Sequence, residues 1–567
     1  MPGALRRLVA GLLSRSLPAA ATTTTTAASM SSSAAAAATS PKSVAVVGGG
    51  VAGLVCAREL SARGHRVTLF DLGRAAPGGR ASTRTTTWRT VQFDHGAQVL
   101  SVPAAAPSSS SPSAFGALVE AWRREGLVAA WDDDSKSGGR VGVYDATTGA
   151  YAPRAVWAAS GGVGTGAVGS ATAAAAAGSA PPATAHNFFL ELIAGGASSS
   201  SSSSLPPRLY VGTPSNDALC KGLARALEQE QQKHQQQAAA DNHTPIRQGV
   251  GVSRARFDPR ARTWVLEGRA PEKPLRTHAD RRATPAYTPW NEGAFDALVL
   301  ADRMAGQRGT PGFVELEGAG GAGLRLYETL AGVRLQPCLV LMLAYEAAGT
   351  EGAAETNADD RLPLPLDGWD AAAVVGGSGG GKIAWVCRDS SKPGRGRQDG
   401  LQTYVAIATP SFSAEVLANA YSEAGSGNRG DGRRADGSWP PQTPEYLAAL
   451  VAPMRQALEE ALRPALLRRQ ERRARAGGGA AASSSSSFPE PAFAQVHRWG
   501  AAFPEAALGA PCLRADGAAL AACGDFCLGG GVEGAALSGQ AAAAAVAEML
   551  ASAGGSEGGA GGGESRL

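Results

Sequence analysis

Apolar and polar positions alternate along the chain in two distinct rhythms. Residues 43–71 hold the sharpest example. Val44, Val46 and Val47 form a short β-branched run, as a parallel strand buried on both faces requires. A glycine turn follows, then Leu54, Ala57 and Leu60 at helical spacing. Gly64 closes that helix, and Val67, Leu69 and Phe70 predict a second strand ending in Asp71. Further on, Phe115 to Trp131 predicts a helix, Val141 to Tyr144 and Tyr151 to Trp157 predict strands, and Leu209 to Val211 predicts another. A helix then starts near Ser215 or Asn216 with Asp217 in its first turn, and the Gln-rich tract Glu228 to Gln237 extends it or frays into a loop. GVGVSRARFD and TWVLEGR read as an antiparallel pair, and FDALVLADR as a buried strand ending at Ala301-Asp302. Pro337–Tyr345, Lys382–Arg388 and Gln402–Thr409 are strands with few helices between them, which suggests an antiparallel sheet. Helices are expected at Ser413–Glu423, Tyr446–Arg473 and from about Gly534 to Leu550.

Composition changes this picture at the edges of the elements. Of 567 residues, 74 are glycine, and alanine, glycine and serine runs interrupt the patterned stretches. Such runs bury too little apolar surface to pack, so Gly161–Gly178 and Ser198–Ser204 are expected to be disordered insertions. The first 42 residues carry Arg6, Arg7, Arg15 and Lys42 but no acid, with a long Thr/Ser/Ala tract. That is the composition of an organelle transit peptide, and the hydroxylated tract favours the chloroplast over the mitochondrion. Setting those four residues aside removes the formal charge of +4, leaving 49 basic against 49 acidic residues. No basic patch stands out, so a nucleic-acid partner is not expected. No run of 18 apolar residues predicts a transmembrane segment. Seven scattered cysteines without a C-x-x-C pair fit neither a disulfide framework nor a zinc site. Cys523 and Cys527 are read as small buried residues rather than points of covalent flavin attachment.

Candidate chemistry begins at the first turn. Gly48, Gly50 and Gly53 match G-x-G-x-x-G at a strand-to-helix junction. The first glycine permits the tight turn, the second lets backbone approach a pyrophosphate, and the third lets helix and strand pack closely. The helix N-terminus faces the negative charge, and Asp71 falls where an acid binds a ribose hydroxyl pair. This predicts a dinucleotide site.

Several further motifs then occur in order: PGGR at Pro77–Arg80, FDHGAQ at Phe93–Gln98, SNDALCKGLA at Ser215–Ala224, DSSKPGR at Asp389–Arg395, HRWGAAFPE at His497–Glu505 and GDFCLGGGVEGAALSG at Gly524–Gly539. Together they resemble the renalase-like FAD oxidoreductases within the flavin amine-oxidase superfamily. The resemblance runs from about residue 43 to 550. It implies an α/β fold: a discontinuous Rossmann-type FAD-binding domain (43–100, 205–305 and 512–553) with an inserted antiparallel-sheet substrate domain (101–204 and 306–511). Residues 554–567 read as a tail.

The resemblance also implies roles. Gly48, Gly50, Ala52 and Gly53 would place backbone amides on the FAD pyrophosphate, and Asp71 would hold the adenosine ribose. Arg80 would supply a planar cation to phosphate oxygens near the flavin. Ala97, Gln98 and Val99 would bring backbone beside the flavin ring, and Val252 would touch the adenine. Asp525 would accept from a ribityl hydroxyl. Gly534 and Ala535 would open the last helix, aiming its dipole at the flavin N1–C2 carbonyl edge. His95 is read as structural, in a tight turn beside Asp94. His497 and Trp499 are candidates for the substrate side, Arg498 and Trp499 for a cation and an aromatic wall; a structural role for each stays open. Val99 and Ile407 stand where an aromatic residue and a histidine are common in the family, and both are placed at the substrate cavity.

No Ser/His/Asp arrangement, metal cluster or clear Lys or His base is present in the sequence. A flavin taking hydride from a dihydropyridine needs none. The resemblance implies a small reduced substrate, such as dihydro-NAD(P) isomers, with molecular oxygen as acceptor. The alternatives are an amine oxidase or carotenoid-type desaturase of the same superfamily, or a non-catalytic FAD-fold binding protein.

Overall fold

The computed structural model describes residues 41–74, 76–104, 112–131, 139–159, 185–194, 206–238, 243–273, 286–346, 362–377, 381–422, 433–434, 439–475 and 487–555. The runs Gly161–Gly178 and Ser198–Ser204, residues 1–40 of the segment expected to be a transit peptide, and the tail from residue 556 lie outside them.

The strand β1 (Ser43–Val47) is the centre of a six-stranded sheet. On one side it pairs in parallel with β2 (Arg66–Asp71), and β2 with Ile246–Gln248. On the other it pairs in parallel with Ala297–Leu300, which pairs with Leu520–Ala522. Leu513–Ala515 closes that edge antiparallel. Three distant stretches of chain therefore build one sheet. Its three central strands, Ser43–Val47, Ala297–Leu300 and Leu520–Ala522, are almost wholly apolar because both faces are covered. Val44 and Val46 pack with the helix α1 (Val51–Ala62) and the helices Asp217–Ala238 and Gly531–Gly555. Ala45, Leu298 and Leu300 face the opposite way, onto a four-stranded sheet and the helix Gly320–Gly332. That second sheet runs Tyr287–Phe295, Thr263–Pro271, Gly251–Asp258 and Glu315–Glu317.

A seven-stranded sheet forms the other large layer, in the order Phe493–Pro504, Leu335–Tyr345, Gln402–Ala408, Ile383–Arg388, Ala371–Val375, Val141–Asp145 and Ala150–Pro153. It is antiparallel except where Ala371–Val375 runs parallel to Val141–Asp145, a departure from the fully antiparallel sheet expected. The helices Pro410–Ser422, Pro444–Ala449 and Val451–Arg475 cover one face. The other face looks onto Phe93, Val99, Trp131 and Phe189.

Several local expectations shift. The helix from Phe115 ends at Arg124, because Gly126 takes φ +73° and turns the chain into the strand Val128–Ala130. The stretch Tyr151–Trp157 is strand only to Pro153 and is helical from Arg154 to Ala159. The Gln-rich tract extends its helix to Ala238. Among the described residues no helix is long and apolar enough to cross a membrane, and no cluster of three His, Cys, Asp or Glu is placed to hold a metal.

Candidate dinucleotide and substrate cleft

Parallel strands put all their carboxyl ends on one edge, and the candidate residues gather there. Chain order runs outward from β1 in both directions, so the crevice opens between β1 and Ala297–Leu300, where the strand order reverses. Gly48 leaves β1 at φ +115°, and a Cβ there would sit 3.0 Å from the carbonyl carbon of Ala301. Its amide donates to the Phe70 carbonyl at 2.9 Å. At Gly53 a Cβ would lie 1.9 Å from the Gly48 oxygen, so only glycine lets α1 approach the turn. Gly50 caps α1, and a Cβ there would meet nothing within 4 Å. Ala52 is buried in the first turn, its carbonyl facing Gly539 of the last helix. The second glycine turn lies over the first, with a Cβ at Gly79 3.5 Å from Gly50 Cα.

Asp71 ends β2 against Gly49, where a Cβ would come within 2.7 Å of its carboxyl carbon. Burial pushes the Asp71 carboxyl up to about 6, against the backbone amides of Gly73 and Gly49 that bond it. Val252 is buried on the adjoining strand; the neighbouring Val250 amide donates to the Asp71 carbonyl at 3.1 Å. Asp302 follows the strand Ala297–Leu300. It stands beside Gly48, accepts from the Met304 amide at 2.9 Å, and burial raises its carboxyl too. The signal was available: like Asp71, it is an acid ending a buried parallel strand.

Arg80 and Asp525, assigned to separate parts of a cofactor, are bonded to each other. Two parallel bonds of 2.6 and 2.7 Å join guanidinium and carboxylate, and Arg80 Nη1 also donates to the Ala502 carbonyl at 2.8 Å. The last helix opens at Gly531, three residues before Gly534, because the Gly529–Gly531 run turns the chain sharply at φ +123° and +98°. Its first-turn amides are those of Gly531, Val532 and Glu533, while Gly534 packs under the Gly529 carbonyl and Ala535 against the core beside α1. Phe188 rests on this glycine run, 2.7 Å from a Cβ built at Gly530. Both α1 and this helix present their N-termini at the same edge of the sheet.

The turn Phe93–Gln98 and the strand Phe493–Pro504 bound the other side. Ala97 is half-buried, its amide donating to the Arg80 carbonyl at 2.8 Å and its carbonyl accepting from Asn216 Nδ2 at 2.6 Å. The Gln98 side chain folds back to donate to the carbonyls of Asp94 and Gly96 at 2.7 and 2.9 Å. Val99 and Ile407 share one core cluster at 2% exposure each, so neither lines an open cavity. His497, Val340, Ile407 and Trp385 form a row across that sheet face.

His95, His497 and Trp499 make an aromatic trio. His95 stacks on Trp499 at 5.1 Å and meets His497 edge-on at 4.5 Å, and Trp499 Nε1 donates to the His95 carbonyl at 2.8 Å. Burial, with Arg84 nearby, pushes His95 down to about 4 and His497 to about 2, so both imidazoles are neutral at pH 7. Their Nδ1 atoms are buried without a hydrogen-bond partner. Arg498 does not join this wall. Successive strand residues point to opposite faces, and Arg498 bonds the Pro440 carbonyl and Tyr446 hydroxyl on the far side. Arg84, absent from the sequence candidates, donates to Gln495 at 3.1 Å beside the trio.

The residues fit a dinucleotide: an open α1 N-terminus at Gly50, a buried acid at the end of β2, and a second helix N-terminus on the same edge. A family described as an NAD(P)-binding Rossmann-like domain matches residues 46–111. Among solved structures the chain is similar to wild-type putrescine oxidase bound to putrescine, at 13% identity and TM-score 0.43, covering 90% of this chain and 99% of that one. It is also similar to cyclohexylamine oxidase from Brevibacterium oxydans IH-35A, at 12% identity and TM-score 0.43, covering 90% and 100%.

Proposed function

We propose that the protein is an FAD-dependent oxidoreductase of the renalase-like kind, taking hydride from a small reduced substrate such as a dihydro-NAD(P) isomer, with oxygen as the acceptor. One observation carries the reading. The glycine turn and Asp71 near the start of the chain, and Asp525 with the last helix near its end, line one edge of a single, mostly parallel sheet. A cofactor gripped by both is a resident flavin rather than an exchanging nicotinamide.

Gly48, Gly50, Ala52 and Gly53 would hold the pyrophosphate, Asp71 the adenosine ribose, and Val252 the adenine side. Arg80, Asp525 and the turn Ala97–Val99 would hold the flavin half. Bound FAD would supply a two-electron acceptor for hydride. The chain's own part is orientation and exclusion of water. His95, His497 and Trp499 offer a neutral, largely buried wall for a planar ring. With both imidazoles uncharged at pH 7, the wall presents no cationic acid, which suits a substrate that loses hydride without losing a proton.

The test is to purify the full chain and record its absorption near 450 nm. A yellow protein carrying about one FAD is expected, and failure to bind added FAD ends the enzyme reading. Anaerobic mixing with dihydropyridine isomers, amines and carotenoid precursors follows. Bleaching by a dihydropyridine, with peroxide formed on readmitting oxygen, is the expected result; bleaching by an amine alone moves the protein to the amine oxidases. We also propose chloroplast import through residues 1–42. A fluorescent fusion of that segment tests it, and a mitochondrial signal overturns it.

A further inference from the structure

A buried ion cluster joins two motifs that lie nearly 300 positions apart, the loop Asp389–Arg395 and the turn Phe93–Gln98. The side chains of Asp94 and Lys392 are fully buried, and those of Asp389 and Arg395 are 2% and 6% exposed. Lys392 Nζ stands 2.7 Å from Asp389 Oδ1, 3.4 Å from Asp94 Oδ2 and 3.4 Å from Gln98 Oε1, over the Trp131 ring. Arg395 reaches the same Asp94 oxygen and donates to the Gly212 carbonyl at 2.8 Å. Asp94 Oδ1 accepts from Thr83 Oγ1 at 2.7 Å and from the Asn216 amide at 3.0 Å, while Asp389 Oδ2 accepts from the Asp94 amide at 3.1 Å.

Two carboxylates and two cations balance, yet desolvating four charges is unfavourable, and an apolar filling would serve stability as well or better. Burial alone would raise the Asp94 carboxyl; Lys392 and Arg395 outweigh it and hold Asp94 ionised. What the cluster fixes is a position. With Gln98 Oε1 turned to Lys392, its Nε2 is aimed at the carbonyls of Asp94 and Gly96. The turn is thereby held on the side of the cluster, and it also carries His95, whose carbonyl accepts from Trp499 Nε1, and Ala97, whose amide donates to the Arg80 carbonyl.

We infer that Lys392 is a positioning residue, acting through Asp94 and Gln98 to set the turn that shapes the flavin half of the cleft. This rests on the FAD reading above. The test compares the full chain with Lys392→Met and with Lys392→Met/Asp389→Asn, which restores charge balance without restoring the bond to Gln98. The readouts are FAD dissociation constant by titration of the cofactor-free protein, its thermal midpoint, and its near-ultraviolet circular dichroism. Lys392→Met is expected to raise the dissociation constant at least tenfold and to alter the tryptophan bands. The double variant is expected to recover the thermal midpoint but not the affinity. Recovery of both would show a role in charge balance alone and overturn the inference. Should Lys392→Met fail to fold, Gln98→Met keeps all four charges; the same tenfold loss is expected, and an unchanged dissociation constant overturns the inference. If the wild-type chain binds no FAD, the cofactor reading fails, and the dichroism still decides: tryptophan bands unaltered by Lys392→Met reject the positioning role.

Discussion

Arg80 and Asp525 stand 445 positions apart in the chain and meet in a two-bond fork of 2.6 and 2.7 Å. With the bond from Arg80 to the Ala502 carbonyl, this fork ties the second glycine turn to the Phe493–Pro504 strand and to the C-terminal Gly-Asp pair. Asp525 is 7% exposed and Arg80 38%, so the carboxylate depends on the pair more than the guanidinium does. Arg80→Met strands a buried charge, and the cofactor-free chain is expected to lose about 2 kcal/mol in denaturant unfolding, less than for a fully buried pair because Arg80 is partly solvated. Arg80→Met/Asp525→Asn should regain most of that stability while FAD affinity stays low. Unchanged unfolding in Arg80→Met would show that the fork carries no weight.

The glycines of the first turn separate fold from cofactor. At Gly53 a Cβ would lie 1.9 Å from the Gly48 oxygen, so Gly53→Ala forces α1 off the strand and should cost about 3 kcal/mol. Gly50 has φ −74° and ψ −178°, which any residue adopts, and open space around it. Gly50→Ala should therefore stay within about 1 kcal/mol of the parent stability. Its methyl group enters the region assigned to the pyrophosphate, and FAD affinity should fall roughly tenfold. Calorimetric melting paired with FAD titration reads both; equal affinity in Gly50→Ala would move the phosphate away from this turn.

Much of the Rossmann layer was legible because its central strands are nearly continuous apolar runs with glycine turns and strand-end acids. The strands Leu335–Tyr345, Ile383–Arg388 and Gln402–Ala408 were legible for the same reason. The strand Tyr287–Phe295 was missed, since eight of its nine residues are exposed or half-exposed and carry no alternating signal. The helix Gly320–Gly332 was missed because it opens on glycines. Local pattern carries no distance, so neither the Arg80–Asp525 fork nor the Lys392 cluster could be read from it. The opposite facing of Arg498 was available from strand parity alone.

The buried Asp71 carboxyl opposes stability at neutral pH. It is raised by burial to about 6 from an ordinary value of 3.8. Between those values the folded chain holds a proton that the unfolded chain has released, so this group makes stability fall as pH rises from about 4 to 6. Its contribution amounts to up to about 3 kcal/mol. Asp71→Asn should remove that slope and make the cofactor-free chain more stable at pH 7. An ionised carboxylate accepts from both ribose hydroxyls more strongly than a protonated one, so wild-type FAD affinity should rise with pH through about 6, and Asp71→Asn should bind at least tenfold more weakly. A variant that gains stability and keeps its affinity would remove Asp71 from the ribose.

The imidazole pair titrates in the opposite sense. His95 and His497 are pushed down to about 4 and about 2, first by burial and then by neighbouring positive charge. Unfolded histidines take up protons below about 6.5 while the folded pair does not, so their stabilising share is complete above 6.5 and is lost as pH falls. In the wild-type chain this acid loss partly cancels the Asp71 gain between pH 4 and 6; in Asp71→Asn it should appear unmasked. His497→Phe keeps a ring beside Trp499 and His95 and should flatten part of that acid limb in unfolding measured from pH 4 to 7. Because neither imidazole changes charge above pH 6.5, the rate of flavin reduction by substrate should be level from pH 6.5 to 9. A kinetic limb in that range that disappears in His497→Phe would make His497 a proton-transfer group and return the choice of substrate to the amines.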